Sequence, residues 1–467
     1  MAKKNRTRQA QRMVADPKLA TLEERMAAGK TLRERFPRGS HSEWSPPANR
    51  PDPISILKHS DRGRLQELLP IRYGRMKQSP FAFYRGSAAV MAWDLSVMPT
   101  NGIRVQACGD CHAANFGGFA SPERRLLFDI NDFDETLPAP WEWDVKRLAA
   151  SIVLGLREIG LGDGRCKDGV LNMARSYRKH MHRYAMMRRL DVWYSHVEAD
   201  EFMKEAMTSA QRERWEKLQA EARKDTGQHV VPRITEVKNG CTVIVDQPPL
   251  VYHPRESDLI RRHVTQMFHR YRDTLPEERR ILLDRYHIVD VARKVVGIGS
   301  VGTRCAAVLL MAAKGDPLLL QYKEALPSVL EPYAGKSKNK NHGERVVKGQ
   351  RMLQAESDVF LGWTHDDFGR NYYFRQLRDM KMKFDLSKMT RTDWFEYVDI
   401  CGWTLARAQA RTGDAALIAG YLGKSDKFDA ALAKFAVQYA DQADRDYQEL
   451  LKAVRSGRVK ARNRVPD

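Results

Sequence analysis

Apolar residues recur at helical spacing in several long segments of the chain. Within residues 143–160 they fall on one face of a helix: Val145, Leu148, Ala149, Ile152 and Leu156. Residues 165–224 are rich in Arg, Met, Ala and Glu and are also predicted to be helical, as are residues 256–284 and 392–455. The pattern therefore predicts a chain with much helix in both halves.

Short apolar runs bounded by turn residues predict strands between these helices. Residues 103–107 and 126–130 are predicted strands that flank a loop, and a strand or turn is predicted around Phe81–Gly86, followed by a short helix. Residues 228–250 have β-like composition. Residues 289–323 alternate as strand, glycine turn, strand, loop and strand, followed by a helix over 343–357 and strands over 358–363 and 371–377. The fold class predicted is α+β.

The 467 residues suffice for a large two-lobed fold. We divide them into a basic tail and linker (1–45), a helical large-lobe part (46–288), a small β-rich lobe (289–380) and C-terminal helices ending in a basic tail (381–467). No apolar run is long enough for a membrane span, and no secretory signal follows the N-terminus, so we expect a cytoplasmic protein. The six scattered cysteines are expected to be reduced thiols.

The net charge of +20 is concentrated partly at the two ends. Residues 1–50 contain twelve Lys and Arg against five Asp and Glu, and residues 450–467 contain six against one. Such ends suit contact with nucleic acid or an anionic surface. The alternative is that both are solvated tails.

The candidate chemistry lies in CGDCHAANFGGF and in the later LLFDINDFDE. Asp110 and Asn115 follow one predicted strand and Asp132 follows the other, so a strand–loop–strand hairpin would bring the three side chains together. Two carboxylates and an amide oxygen are hard ligands that suit Mg²⁺. Asp129 and Asp134 are alternatives to Asp132.

The order G-D-x-H-x-x-N, a strand and an Asp resembles the catalytic loop of aminoglycoside and choline kinase-like phosphotransferases, which reads H-G-D-x-H-x-x-N. Cys108 replaces the first His of that pattern. The resemblance implies that Asp110 orients the acceptor hydroxyl and takes its proton, that His112 supports the loop, and that Asn115 and Asp132 hold metal.

The resemblance extends beyond the catalytic loop. Asp144, in WDVKRLA, matches a later structural Asp of the kinase-like family. The stretches SPFAFYRG, GDCHAANFG, FDINDFDET and PWEWDVKRLA together resemble a bacterial family known as domain of unknown function 2252, over most of the chain. That second resemblance implies no particular substrate.

A competing motif overlaps the same loop. Cys108, Cys111 and His112 satisfy the C-x-x-C-H pattern of covalent haem attachment, and the two cysteines alone satisfy a redox C-x-x-C. Haem attachment requires an export route, which the sequence does not indicate. A zinc site would require a second pair of ligands, and the other cysteines are isolated.

A glycine-rich stretch far downstream supplies the candidate phosphate loop. Gly297, Gly299 and Gly302 form G-x-G-x-x-G between two predicted strands, and glycines allow backbone amides to approach phosphate oxygens. Lys323 ends the third predicted strand, where the phosphate-binding lysine of kinases lies. A Rossmann interpretation fits less well, because no acidic residue stands clearly at the expected distance.

Further residues complete the predicted site. Glu344, at the start of the following helix, is expected to hold Lys323, with Glu331 and Glu356 as rivals. Arg85 is a candidate phosphate ligand, or else part of a structural ion pair. Residues 372–377 are either a hinge whose backbone meets adenine or an ordinary strand.

Together these patterns predict a two-lobed, protein-kinase-like fold with extra helices. It would be circularly permuted, because the catalytic hairpin precedes the glycine-rich lobe, and residues 393–410 would supply the large-lobe helix that normally precedes the catalytic loop. The predicted function is transfer of phosphate from ATP, with Mg²⁺, to a small-molecule or protein hydroxyl. A non-catalytic nucleotide-binding protein and a nucleic-acid-associated protein are the alternatives.

Overall fold

The structure is a computed structural model and describes residues 20–198, 209–224, 226–255, 257–377 and 379–462. The helices in the first half of the chain are α1 (Leu22–Arg35), α2 (Pro53–Ser60), α3 (Leu69–Met76), α4 (Pro80–Gly86), α5 (Ala88–Ser96), α6 (Trp141–Glu158), α7 (Asp163–Met186), α8 (Arg189–Tyr194), α9 (Ser209–Lys224) and α10 (Gly227–Ile234). The later helices are α11 (Ser257–Asp273), α12 (Glu277–Leu283), α13 (Glu331–Ala334), α14 (His342–Leu353), α15 (Arg391–Thr412), α16 (Ala415–Leu422) and α17 (Lys427–Arg455).

The strands form one large sheet and three short pairs. They are β1 (Arg104–Ala107), β2 (Phe116–Ala120), β3 (Leu126–Ile130), β4 (Leu137–Pro140), β5 (Thr235–Lys238), β6 (Cys241–Ile244), β7 (Val251–Tyr252), β8 (His287–Lys294), β9 (Cys305–Met311), β10 (Pro317–Glu324), β11 (Gly362–His365) and β12 (Asn371–Gln376). The large sheet is antiparallel in the order β11-β12-β10-β9-β8-β7. The mixed α+β class predicted from the sequence is confirmed.

The two faces of the large sheet have different neighbours, because side chains alternate along each strand. On the outer face, Leu320 and Phe374 pack with Tyr271 of α11 in one apolar cluster. The inner face therefore carries the intervening residues, which include Lys323 of β10 and Tyr373 of β12, directly opposite each other in the register. This face is turned toward the acidic segment around β2 and β3.

The helical part is built mainly from α6, α7, α15 and α17, whose buried apolar residues belong to the largest core cluster. The pattern over 143–160 is confirmed by α6, in which Val145, Leu148 and Ile152 are fully buried. Close packing explains one glycine in α15: a side chain on Gly402 would meet the backbone of Met173 in α7.

The acidic segment differs from the predicted hairpin in its pairing. The strands at 104–107 and 126–130 both form, but β1 pairs with β4, and β3 pairs with the additional strand β2. Asp110 and Asn115 therefore lie in the connection from β1 to β2, and Asp132 follows the β2–β3 hairpin. The three residues still converge, through two strand pairs instead of one.

Two further predictions need correction. Phe81–Gly86 belongs to helix α4, because Ser79 caps the Ala82 amide and Pro80 occupies the first helical turn. Part of the expected N-terminal tail is also helical: Thr21 and Glu24 form a capping box that begins α1, which packs on α16. The basic residues before residue 20 and after residue 462 lie outside the described residues.

Two smaller findings complete the fold. Among the described residues, no helix has the length and apolar character needed to cross a membrane. All six cysteines are free thiols, as predicted, and only Cys241 is exposed.

Candidate functional site

The loop that carries Asp110 is fixed by the helix behind it. The Asp144 carboxylate, in the first turn of α6, accepts hydrogen bonds from the backbone amides of Cys108 (2.8 Å) and Gly109 (3.0 Å). Ser151 Oγ, two turns further along α6, accepts from the Ala113 amide at 2.9 Å. Gly109 has φ +84°, which an L side chain rarely adopts.

Asp110 itself has an arginine partner. Arg147 Nε donates to Asp110 Oδ1 at 2.6 Å, and Arg147 also donates to the Tyr84 carbonyl at 3.0 Å. His112 Nε2 lies 3.9 Å from Asp110 Oδ2 and is buried. Asn115 Nδ2 donates to the Asp110 carbonyl at 2.8 Å, which closes the loop on itself. The structure thus brings together Asp110, His112 and Asn115, as the sequence predicts.

Of the three alternative acidic residues, Asp129 is used inside the fold. Its carboxylate accepts from Arg407 at 2.7 and 2.8 Å and from the Ala355 amide at 2.9 Å, and both side chains are almost fully buried. This pair ties strand β3 to helix α15. The geometry leaves Asp132 and Asp134 as the acids that face the sheet.

Asp134 is occupied by three donors from the sheet region. Its carboxylate accepts from Tyr373 Oη at 2.8 Å and Ser300 Oγ at 3.0 Å, and it forms an ion pair with Lys323. Burial opposes ionisation, but Lys323 outweighs it and holds the pKa of Asp134 below its ordinary value. Asp134 is therefore a charged structural link between the acidic segment and the sheet.

Asp132 is in a different electrostatic position. Its Oδ1 accepts from the Asp134 amide at 3.2 Å. Burial, followed by the nearby Asp134 carboxylate, raises the pKa of Asp132, although Lys323 and Arg375 act in the opposite direction. A carboxylate that is disfavoured as an anion gains most from a bound cation. Asp132 is thus better suited than Asp129 or Asp134 to hold a metal.

Lys323 lies at the predicted place on β10, but Glu344 is not its partner. Lys323 is 2 % exposed and pairs with Asp134, whereas Glu344 pairs with Lys348 at 2.7 Å, one turn along α14. The helix turns Arg345 toward the acidic segment instead, where it donates to the Asp134, Thr136 and Leu326 carbonyls at 2.8 Å. The rivals Glu331 and Glu356 are likewise not paired with Lys323: Glu331 lies 3.6 Å from His342, and Glu356 is exposed.

The glycine loop packs directly against the Asp110 loop. A Cβ atom placed on Gly299 would lie 3.7 Å from Asp110 Oδ2 and 3.6 Å from the Arg85 carbonyl. Gly302 has φ +93°, and Gly297 has an ordinary φ of −58°. Residues separated by almost 190 positions in sequence therefore meet at one place. The Arg85 carbonyl lies within the last turn of α4.

Arginines from helix α3 and from the segment before it hold the glycine loop by its carbonyl oxygens. Arg72 donates to the Ile298 and Gly299 carbonyls, both at 3.0 Å, and Arg64 donates to the Val301 carbonyl at 2.7 Å. Arg75 donates to the Val296 carbonyl. Sequence reasoning missed these residues, because isolated arginines in a basic chain carry no recognisable spacing.

The C-x-x-C pair forms a buried group with Asp144. The two Sγ atoms and a carboxylate oxygen lie within 4.8 Å of one another. Burial raises the pKa of both thiols, and the neighbouring Asp144 carboxylate acts in the same direction. Protonated thiols are poor metal ligands, and Asp144 already accepts two amides. The group therefore functions here as packing beneath the Asp110 loop.

Comparison with known proteins gives one match. A protein-family model described as "Uncharacterized protein conserved in bacteria (DUF2252)" matches residues 64–453, which include the Asp110 loop, the glycine loop and Lys323. No curated protein and no solved structure matches the chain.

Proposed function

The chain belongs to the bacterial family DUF2252, and we propose that it is an ATP- and Mg²⁺-dependent phosphotransferase with a circularly permuted, kinase-like arrangement of its two lobes. The observation that carries the proposal is the contact of the glycine loop with Asp110, next to the Lys323–Asp134 pair. Phosphoryl transfer requires a phosphate-binding loop, a lysine, metal-binding acids and a carboxylate beside the acceptor. These are the groups that meet here.

The order of elements supports the kinase-like arrangement. Strands β8, β9 and β10 form a meander, with the glycine loop between the first two and Lys323 on the third. Helix α14 and strands β11 and β12 follow, and β12 pairs with β10. In protein kinases the lysine also lies on the third strand of the sheet. In this chain the acidic loop precedes the sheet, and α15 follows it.

The residues present fit a magnesium ion. The amide nitrogen of Asn115 is used by the Asp110 carbonyl, so its Oδ1 is the atom available to a ligand. Asp132 has the raised pKa expected of a carboxylate that a cation would stabilise. Asn115 and Asp132 would hold the ion, which when bound would neutralise charge on the phosphates.

In the proposed reaction, Asp110 Oδ2 accepts the proton of the acceptor hydroxyl. Arg147 bonds to Oδ1, so it fixes the direction in which Oδ2 points. The amides of the glycine loop bind phosphate oxygens, because the loop is held by its carbonyls. Lys323 holds Asp134 in place beside Asp132. The acceptor is a small-molecule or protein hydroxyl.

A non-catalytic nucleotide-binding protein is the second candidate, and the Arg147–Asp110 pair is the observation that favours it. Arg147 Nε bonds to Asp110 Oδ1 at 2.6 Å, so it occupies one of the two oxygens that could accept a proton. A protein of this kind would bind nucleotide with Mg²⁺ but would not turn it over.

Calorimetric titration with ATP and GTP, with and without Mg²⁺, tests the proposal. Asp132→Asn should weaken Mg²⁺-dependent binding about tenfold or more, because a charged contact contributes roughly 1.5–3 kcal/mol. Asp367→Asn, at an exposed aspartate of the same sheet region, is the matched control and should bind like wild type. Wild-type protein that binds neither nucleotide would contradict the proposal.

Asp110→Asn separates the two candidates. If the protein transfers phosphate, this variant should retain nucleotide binding and lose turnover of γ-labelled nucleotide. If wild type binds nucleotide with Mg²⁺ but releases no labelled product with any hydroxyl acceptor or water, the non-catalytic function stands in its place.

A further inference from the structure

Lys323 cannot serve as the sole cation for a polyphosphate, because its charge is already matched by Asp134. The pKa of Lys323 is raised: burial acts against the charged form, but the Asp132 and Asp134 carboxylates outweigh it. A ligand with several phosphoryl groups needs further positive charge within reach of Asp132. The inner face of the sheet supplies positive charge through Arg375, which lies two residues after Tyr373, the cross-strand partner of Lys323.

A cavity of about 80 Å³ lies beside this position, where β12 ends next to the acidic hairpin. Its wall includes Asn131, which immediately precedes Asp132, together with Arg375 and Lys381. The backbone of Met382 exchanges two hydrogen bonds with Gly118 of β2, both at 2.9 Å, and this holds Lys381 against the hairpin. The space is several times that needed for one water molecule.

The cations of this cavity are not matched by its acids. Asp379 pairs with Arg124 at 2.8 Å, and Asp358 accepts from the amides of Phe360 and Gln376. Among the described residues, no acidic group lies within ion-pair distance of Lys381. Within the described part of the chain, Arg375 bonds only to neutral oxygens, those of Gln321 (3.1 Å) and Asn131 (3.4 Å).

The charges that act most strongly on Lys381 are mostly positive. Those of Arg375, Lys383 and Lys294 disfavour its charged form, and that of Asp132 favours it. Burial, followed by Arg375, lowers the pKa of Lys381 well below its ordinary value. Like charges held together at a partly buried cavity are unfavourable unless an anion joins them.

We infer that Arg375 and Lys381 form a polyphosphate subsite, which takes the phosphoryl groups of a nucleoside di- or triphosphate beside Asp132. This rests on the proposed function, since it assigns the phosphate-binding cations of that site. An arginine fork and a lysine suit phosphate oxygens, one by its planar geometry and the other as a point charge. The adjoining Asp132 would share the same phosphoryl groups through its cation.

Calorimetric titration of the full chain with inorganic tripolyphosphate, ADP and adenosine tests the subsite. Lys381→Gln should weaken tripolyphosphate and ADP about tenfold or more and leave adenosine unchanged, and Arg375→Gln should act in the same direction. Lys388→Gln is the control, since Lys388 is exposed and pairs with Asp385 at the surface. Thermal denaturation checks that Lys381→Gln is folded, which we expect because it removes a charge from among like charges.

The outcomes separate this inference from the proposed function. Tripolyphosphate binding that Lys381→Gln weakens, in a protein without phosphoryl transfer, supports the subsite and contradicts the transferase. Transfer that persists with unchanged ADP affinity in Lys381→Gln overturns the subsite and leaves the transferase standing. Wild-type protein that does not bind tripolyphosphate also overturns the subsite.

Discussion

The acidic loop and the glycine loop meet at one site, but the rest of the protein holds the glycine loop mainly by its carbonyls and the acidic loop by amides as well. In the acidic loop, the amides of Cys108 and Gly109 donate to Asp144 and that of Ala113 donates to Ser151, and the Ala113 carbonyl accepts from Tyr397. In the glycine loop, the carbonyls accept from the side chains of Arg72 and Arg75 in α3 and of Arg64, which lies just before that helix.

This difference sets the electrostatic character of each loop. The acidic loop, whose amides are bound elsewhere, presents the side-chain oxygens of Asp110 and Asn115, which attract a cation. A loop whose carbonyls are bound elsewhere presents amides, which attract an anion. A metal phosphate contains both charges. The two modes of attachment therefore explain why the acidic loop belongs to the metal and the glycine loop to the phosphate in the proposed function.

The largest effect is expected at the Asp129–Arg407 ion pair, which holds the acidic segment to α15. Arg407→Met should lower the free energy of unfolding by about 3–5 kcal/mol, because it leaves the buried Asp129 carboxylate without its cation. Urea denaturation measures the loss. The double variant Asp129→Leu with Arg407→Met should recover much of it, since no buried charge then remains. A loss below about 1 kcal/mol in the single variant would show that the pair is not what holds β3 to α15.

The corresponding test on the glycine loop is Arg72→Met. This side chain is 2 % exposed, donates to three carbonyls and pairs with Asp61. Its loss should cost about 3 kcal/mol, because these buried carbonyls lose a charged donor. It should also weaken tripolyphosphate binding if the arginines orient the loop. Arg62→Met, at an exposed position nearby, is the control and should change neither quantity.

A pH titration probes Glu135, which packs against Gly109 of the acidic loop. Burial raises the pKa of Glu135 to about 7, even though the Val329 amide donates to its carboxylate. The folded protein therefore binds this proton more tightly than the unfolded chain, and the free energy of unfolding should fall as the pH rises from about 4.5 to 7. Glu135→Gln should remove roughly 3 kcal/mol of that fall.

The control for this titration is the difference in the free energy of unfolding between Glu135→Gln and wild type, measured at each pH. Burial also raises the pKa values of Asp144 and Asp358, each to about 6. These two groups therefore also lower the free energy of unfolding as the pH rises, but at lower pH than Glu135 does. Between pH 6 and 7, Glu135 should account for most of the difference between the two denaturation series. Parallel curves in that interval would mean that Glu135 is ionised in the folded protein.

The sequence predicted the parts of this site better than their connections. Asp110, Asn115 and the glycines were predicted as site residues from local spacing, a loop after a strand and close backbone approach, and the structure places them near one another. The strands β8, β9, β10 and β12 were found for the same reason. The pairing of strands and side chains was not predictable. Strand β1 pairs with β4, and Lys323 pairs with Asp134 instead of the predicted Glu344. Such choices depend on which long-range partners the fold brings together.

The residues that sequence reasoning missed share one property. Arg147, Arg345, Arg375 and Lys381 act through contacts with groups far away in sequence, and they are single members of an abundant residue type. Arg147 offers one weak signal, since it stands three residues after Asp144 on the same helix and so faces the same loop. Helix α1 was missed because the basic composition of the N-terminus concealed the capping pair of Thr21 and Glu24.

The smallest expected effect compares two glycines within one loop. Gly302→Ala should cost about 1–2 kcal/mol, because φ +93° strains an L residue and the new Cβ would lie 3.0 Å from Arg64 Cβ. Gly297→Ala should be neutral or stabilise by up to about 1 kcal/mol, since its φ is −58° and its surroundings are open. Equal costs in urea denaturation would mean that the loop is not held in this conformation. Unequal costs would mean that the loop is held in one conformation at Gly302 and is unconstrained at Gly297. Such a loop would keep its amides in the orientation that the arginine-bound carbonyls set.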